Sequence, residues 1–163
     1  MQSRPERARL HFEDVEIGRA VPFGRKVVSR DEIVAYAQAF DPQPLHLDEE
    51  AARHTLIGRL CASGWHSCAM LMRMLADDVL NHAAALGSPG IDEVKLLEPV
   101  LPGDVLTCRY VCIEKRVLAS RPHVGLCKIV FEMLNQDGAV VLRWDTNQFL
   151  GLRTPAPARG ATA

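Results

Sequence analysis

A carboxylate and an imidazole stand five positions apart in "AFDPQPLHLDEEAA", residues 39–52, with two prolines between them. Asp41 precedes Pro42, Gln43 separates the prolines, and His46 follows Pro44 by two residues. Histidine is the side chain whose ordinary pKa lies near neutrality, and a carboxylate beside it can orient the ring or share a water molecule with it. Such a pair moves protons to and from water or a carbon acid, typically contributing about 10² to 10⁴ in rate. The prolines fix φ at two points and restrict the residues before them, so the segment forms a stiff arch whose ends can turn toward one point. Each residue also has a purely structural account: an Asx turn that stops a helix for Asp41, and a partly buried ring bonded to backbone for His46.

A second group of interest is "ASGWH", residues 62–66. Ser63 is placed to cap a helix that opens at Gly64, where the first backbone N–H groups have no intrahelical acceptor and the helix dipole favours negative charge. Glycine leaves that N–H open to a carbonyl oxygen that gains charge during reaction, and one such donor is worth about 3 kcal/mol. Close helix–sheet packing is the structural alternative for Gly64, and both can hold. Trp65 and His66 come next and are candidates to line a pocket. Trp65, Met70, Met72 and Met74 suit a core or dimer contact better than an acyl tunnel, and a structural or interface role suits His66 at least as well.

The elements that must position these groups are legible in part. "AVPFGRKVVS" (20–29) reads as a strand, after which Ser29 and Glu32 form a capping box. Ile33, Tyr36, Ala37 and Phe40 recur at helical spacing, so a short amphipathic helix ends near Phe40. Asp48 caps a further turn beginning "EEAAR". From Ser63 to a C′ residue at Gly87 the chain reads as one long helix of roughly 33 Å, apolar almost all round and therefore buried. Asp77 and Asp78, more than three turns along it, read as solvated or as caps. The second half is rich in β-branched and aromatic residues: "GIDEVKLLEPV", "DVLTCRYVCIEKRVL", "HVGLCKIVFEML" and "AVVLRWDTNQFLGL". Pro102-Gly103 separates the first two, and residues 135–138 turn between the last two. The order predicts an α+β domain, an antiparallel sheet wrapped around a long central helix. Residues 11–153 form one domain between loose ends at 1–10 and 154–163.

Composition narrows the function classes. The 163 residues carry a formal net charge of -1 without an internal block of like charge, which argues against a nucleic-acid surface. No signal peptide opens the chain, and Arg73, Asp77 and Asp78 interrupt its longest apolar run, so no membrane span and a cytoplasmic location are expected. The five cysteines form no CxxC pair and read as buried free thiols. No metal-ligand spacing, P-loop or GxGxxG motif is present, so no metal or nucleotide cofactor is expected.

"FDPQPLHLDEEAA", "ASGWH" and "LLEPVLPGDVL", in this order and with compatible elements, resemble the MaoC-like dehydratases, hot-dog-fold proteins related to the R-specific enoyl-CoA hydratases. The likeness runs from about residue 13 to 152. It implies a hot-dog fold and a hydratase or dehydratase interconverting 2-enoyl and (3R)-3-hydroxyacyl thioesters, with no cofactor beyond the coenzyme A or acyl carrier protein of the substrate. The family's D-x-N-P-x-H motif falls on Asp41, Pro44 and His46, its catalytic pair on Asp41 and His46, and its backbone oxyanion donor on Gly64. Gln43 stands at the position of the motif's asparagine. A serine that some hydratases carry two turns into the central helix would fall near Met72 and is missing. Gln43, Pro44, Ser63, Trp65 and His66 are then substrate-contact candidates, and Arg53, Arg59 and Arg73 are available for the phosphates of the carrier. The family also implies a homodimer or higher homo-oligomer joined through its sheets. Two other readings remain: a hot-dog acyl-CoA thioesterase, or a silent acyl-binding subunit that pairs with an active partner.

Overall fold

A computed structural model describes residues 9–155, so most of the two loose ends expected from sequence lies outside the described residues. At the inner edge of the first, Leu10 N–H donates to the His82 carbonyl at 2.9 Å and Ala84 N–H to the Leu10 carbonyl at 2.7 Å. Leu10 is thus tied by its backbone to the segment after α4.

The elements follow as β1 (Ala20–Val27), α1 (Arg30–Phe40), α2 (Pro44–Leu47), α3 (Glu49–Arg53), α4 (Gly64–Asp78), β2 (Ala85–Leu96), β3 (Val105–Leu118), β4 (Arg121–Leu134) and β5 (Val140–Gly151). The strands make one antiparallel sheet in the order β1-β3-β4-β5-β2. Its inner face carries Leu106, Cys108 and Cys112 of β3, Cys127, Ile129, Phe131 and Met133 of β4, and Leu142, Trp144 and Leu150 of β5. These side chains pack with Cys68, Met70, Leu71, Met74 and Leu75 of α4 in a single core. The outer face is polar along Arg109, Glu132, Arg143 and Asp145, whose charges pair across three strands. All five cysteines are buried and free.

α1 begins where its capping box requires: Glu32 N–H donates to Ser29 Oγ at 3.2 Å and Ser29 N–H to Glu32 Oε1 at 2.9 Å. α3 is capped by Asp48, whose Oδ1 accepts from Ala51 N–H at 2.8 Å.

The central helix is shorter than its periodicity predicts. It holds 15 residues, roughly 22 Å, and ends at Asp78 instead of running on toward Gly87. Asp77 and Asp78 oppose the negative end of the helix dipole, and the His82 carbonyl and the Ala84 N–H are committed to Leu10. That pairing is tertiary and leaves no periodic signal. Gly87 lies inside β2 at φ +103, where the register against β5 shifts, so its freedom serves a bulge and not a helix cap. Asp78, exposed, accepts from Gly24 N–H at 2.9 Å, and Asp77 pairs with Arg73 at 2.7 Å.

Nor is α4 buried all round. Trp65 is 69% and Met72 39% exposed, and with Ala69 they form a stripe on the side away from the sheet. The sheet covers one side of the helix and Tyr36 of α1 stacks on His66, while the Trp65–Ala69–Met72 stripe is left uncovered among the described residues.

Candidate active site

Three short segments meet at the N-terminal end of α4. The first is the end of α1, where the Asp41 N–H still donates to Ala37 O at 2.9 Å while the Asp41 carbonyl accepts from Gln43 N–H at 2.8 Å across Pro42. That tight turn reverses the chain. The second is α2, a single turn with Pro44 at its first position, where the missing N–H costs nothing. His46 N–H donates to Gln43 O at 2.9 Å, which sets the ring inward. The third is residues 61–64, which lead into α4. The arch expected between the prolines is therefore a turn followed by one turn of helix.

Asp41 and His46 come together. His46 Nε2 lies 3.6 Å from Asp41 Oδ2, with the histidine side chain 8% and the aspartate side chain 19% exposed. His46 Nδ1 lies 2.8 Å from the Cys61 carbonyl, which can only accept, so Nδ1 carries the hydrogen and Nε2 presents its lone pair toward Asp41. A lone pair and a carboxylate oxygen do not bond each other, but both accept from one water or hydroxyl placed beside them. The Cys61 thiol, 3.7 Å from His46 Nδ1, is pushed up in pKa by burial and stays protonated.

Asp41 is held on both oxygens. Ser63 Oγ donates to Oδ2 at 2.5 Å and Gln43 Nε2 to Oδ1 at 2.7 Å. The Ser63 hydroxyl and then the Gln43 amide hold the Asp41 carboxyl below the ordinary aspartate range, outweighing desolvation. An ionised carboxylate offers about four lone-pair sites, so both oxygens retain capacity for a water.

Ser63 is 1% exposed and turned to Asp41, while its oxygen also accepts from Trp65 N–H at 3.3 Å. Its side chain is thus committed to Asp41 and to the start of α4. Gln43 is exposed and engaged with Asp41, and Pro44 serves the start of α2. His66 is 6% exposed and stacks on Tyr36 of α1, with ring centroids 4.5 Å apart and planes 8° from parallel. Burial depresses its pKa, and its Nδ1 has no partner among the described residues. Trp65 points out along the exposed stripe. Gly64 opens α4, and its N–H finds no acceptor among the described residues.

Of the three candidate arginines, Arg73 is engaged with Asp77 on α4. Arg53 pairs with Glu50 at 2.7 Å. It borders, with Arg59, an open groove of about 310 Å³ floored by Leu60, Leu101 and Pro102. Leu60 is the residue before Cys61, so this groove backs onto the segment that holds His46. A larger hollow of about 630 Å³ runs over Phe23, Arg25 and Arg109 on β1 and β3 and includes neither Asp41 nor His46. Among the described residues no three histidine, cysteine, aspartate or glutamate side chains are grouped to hold a metal ion.

Two participants are absent from the sequence reading: the Cys61 carbonyl, which fixes the His46 tautomer, and the bond from Ser63 to Asp41. Ser63 was visible as a helix cap, but the direction of its hydrogen is a tertiary fact.

A five-stranded antiparallel sheet around one central helix defines a hot-dog-fold protein, here with a candidate acid–base pair at the mouth of that helix. The chain belongs to the MaoC-like family, whose MaoC-like domain matches residues 12–132. It is similar to a MaoC-like dehydratase from Rhodospirillum rubrum, with 38% identity, a TM-score of 0.84, and coverage of 89% of this chain and 99% of that one. The uncharacterized protein YdeM of Bacillus subtilis strain 168 is 24% identical over 127 residues, 78% of this chain and 89% of its own length. The R-hydratase PhaJ1 of Pseudomonas aeruginosa shares the fold at 19% identity and a TM-score of 0.68, over 91% of this chain and 87% of that one.

Proposed function

We propose that this protein is a hydratase/dehydratase interconverting 2-enoyl and (3R)-3-hydroxyacyl thioesters of coenzyme A or acyl carrier protein, with no metal or redox cofactor, in the cytoplasm. The observation that carries this reading is the pairing of His46 Nε2, an acceptor by virtue of the Cys61 carbonyl, with an ionised Asp41 at 3.6 Å. Membership of the MaoC-like family and the likeness to a dehydratase and an R-hydratase support it.

In the hydration direction, Nε2 takes one proton from the water that Asp41 orients, and the water oxygen bonds to C3. The C2–C3 π electrons shift to form the enolate, whose oxygen lies at Gly64 N–H and the positive end of α4. The imidazolium then returns the proton to C2, so one water supplies both the hydroxyl and the hydrogen. Dehydration is the same path reversed. Gln43 and Ser63 keep Asp41 ionised and oriented. Arg53 and Arg59 face the groove in which the carrier's phosphates would lie.

A second copy of the chain is part of the proposal. The Trp65–Ala69–Met72 stripe and the exposed edge strand β2, with Leu86 55% and Ile91 49% exposed, are left uncovered among the described residues, and a second copy would cover them. Light scattering of the purified chain tests it, and a monomer at micromolar concentration refutes it.

The reaction is tested by following the enoyl absorbance of crotonyl-CoA with purified protein. Asp41→Asn and His46→Ala are each expected to lower kcat/KM by at least about 10² with unchanged circular dichroism. Full rate in both variants sinks the assignment. Release of free thiol without loss of the enoyl group identifies a thioesterase instead.

A further inference from the structure

Leu96 closes the space above the first residue of α4. It is the last residue of β2 and pairs with Leu142 of β5, so it shares the inner, helix-facing side of the sheet with that core residue. Its isobutyl group rests on Gly64: a Cβ built there would overlap Leu96 Cδ1, with Cδ2 and Cγ both at 3.4 Å. Yet Leu96 is 58% exposed. It is therefore a side chain seated on the Gly64 backbone along one edge and open to the surroundings along the other.

The position matters because of what lies beside it. Gly64 N–H is unpaired among the described residues, and Ser63 Oγ is turned away to Asp41. A thioester oxygen that accepts from Gly64 N–H brings its carbonyl carbon alongside the Leu96 methyls. The next acyl atom, C2, must pass them on its way to the Asp41–His46 pair. A hydrogen on C2 fits such a passage, whereas a methyl branch competes with Leu96 for the same volume.

We propose that Leu96 is a specificity-determining residue, restricting the site to 2-enoyl and 3-hydroxyacyl thioesters that are unbranched at C2. This rests on the hydratase reading above and adds to it the substitution pattern of the acyl group. Leu97 provides the control. It is also an apolar residue half exposed to solvent, but it is not among the atoms that a Cβ on Gly64 would meet.

The test compares kcat/KM for crotonyl-CoA with that for its 2-methyl analogue, in the full chain and in Leu96→Ala, Leu96→Val and Leu97→Ala. Intrinsic reactivity of the two thioesters cancels when ratios are compared between variants. Methylene-sized discrimination in an apolar site amounts to about 10- to 200-fold. The unsubstituted protein is expected to prefer crotonyl-CoA. Leu96→Ala is expected to compress the preference about tenfold or more, Leu96→Val to compress it less, and Leu97→Ala to leave it as it was. Melting curves establish that each variant is folded, and Leu96→Val decides the matter if Leu96→Ala is not. A ratio that stays within roughly threefold of the original in the folded Leu96 variants overturns the inference. So does equal compression in Leu97→Ala. Failure of the unsubstituted protein to hydrate either thioester refutes the hydratase reading itself, and the inference falls with it.

Discussion

Replacing Ser63 by alanine removes one oxygen that does two things. It caps α4 through Trp65 N–H, and it donates to Asp41 Oδ2 at 2.5 Å from a position 1% exposed. Loss of a serine N-cap costs about 1 kcal/mol. A hydrogen bond to a charged group contributes about 1.5 to 3 kcal/mol, and the lower end applies here because Asp41 keeps Gln43 and can admit water. The combined loss is about 2.5 kcal/mol, a fall in Tm of roughly 5 to 10 °C for a chain of this size. The second readout is pH. The folded Asp41 pKa is lowered, with the Ser63 hydroxyl as the largest cause. Its ionised form therefore stabilises the fold above the ordinary aspartate pKa of about 3.9, and that stabilisation is lost as pH falls through the lower folded value. Without Ser63 the folded value rises, so the acid midpoint of the Asp41 carboxyl, read from its carbon chemical shift, moves to higher pH. Gln43→Ala is the comparison: it removes the exposed donor on the other oxygen without touching a cap, so the midpoint shifts the same way with a stability change under about 0.5 kcal/mol. An Asp41 midpoint unmoved in Ser63→Ala, in protein whose lowered Tm shows the cap is gone, refutes the reasoning.

Gly64→Ala keeps the N–H but drives a methyl into Leu96, a strain of about 1 to 3 kcal/mol, and the double variant Gly64→Ala/Leu96→Ala is expected to recover most of the lost Tm. Lys115 Nζ donates to the carbonyls of Phe12 at 3.1 Å and Val15 at 2.6 Å and lies 4.9 Å over the Phe12 ring, so Lys115→Met should release residues 12–18, read as faster amide hydrogen exchange there with the sheet still protected. Gly24→Ala forces a side chain onto φ +68 and against Met74 Cβ at 2.8 Å, and displaces the N–H that Asp78 holds; a stability loss of about 1 to 3 kcal/mol in urea unfolding is expected, and a neutral outcome contradicts the contact.

What the sequence makes legible is local. Ser29 with Glu32, Asp48 before "EEAAR", Ser63 before Gly64 and the turn at residues 135–138 are signals read within four residues, and each matches the structure. The convergence of Asp41 and His46 was readable too, because five positions and two prolines leave few ways to separate them. The end of α4 was not readable. "LADDVLNHAAALG" keeps a helical rhythm through residue 87, and what breaks it includes Leu10, some seventy positions earlier, taking the His82 carbonyl and the Ala84 N–H. The same limit hid the role of Ser63. A cap is a contact over two or three residues, whereas its bond to Asp41 spans 22. Burial of α4 was overestimated for a related reason: an apolar circumference says that a helix is covered, but not whether its own chain supplies the cover.

Residues 61–64 explain how so short a stretch controls the site. The Cys61 carbonyl sets which His46 nitrogen carries a hydrogen, the Ser63 hydroxyl holds Asp41, and the Gly64 N–H is the donor proposed for the enolate oxygen. All three functions are spaced along four consecutive residues, so their relative geometry depends on one piece of backbone. That backbone is anchored in turn: Cys61, Ala62 and Ser63 are buried, and Ala62 N–H donates to Val100 O at 2.8 Å. Val100 lies in the link from β2 to β3, which Asp104 holds by accepting from Leu101 N–H at 2.8 Å. Asp41 follows the end of α1 and His46 lies in the single turn of α2, two short segments whose side chains could otherwise sample many arrangements. Tying each of them by one bond to the 61–64 strip confines a buried imidazole and a partly exposed carboxylate. The sheet, which contributes no candidate catalytic side chain, thereby sets the distance between the two that matter.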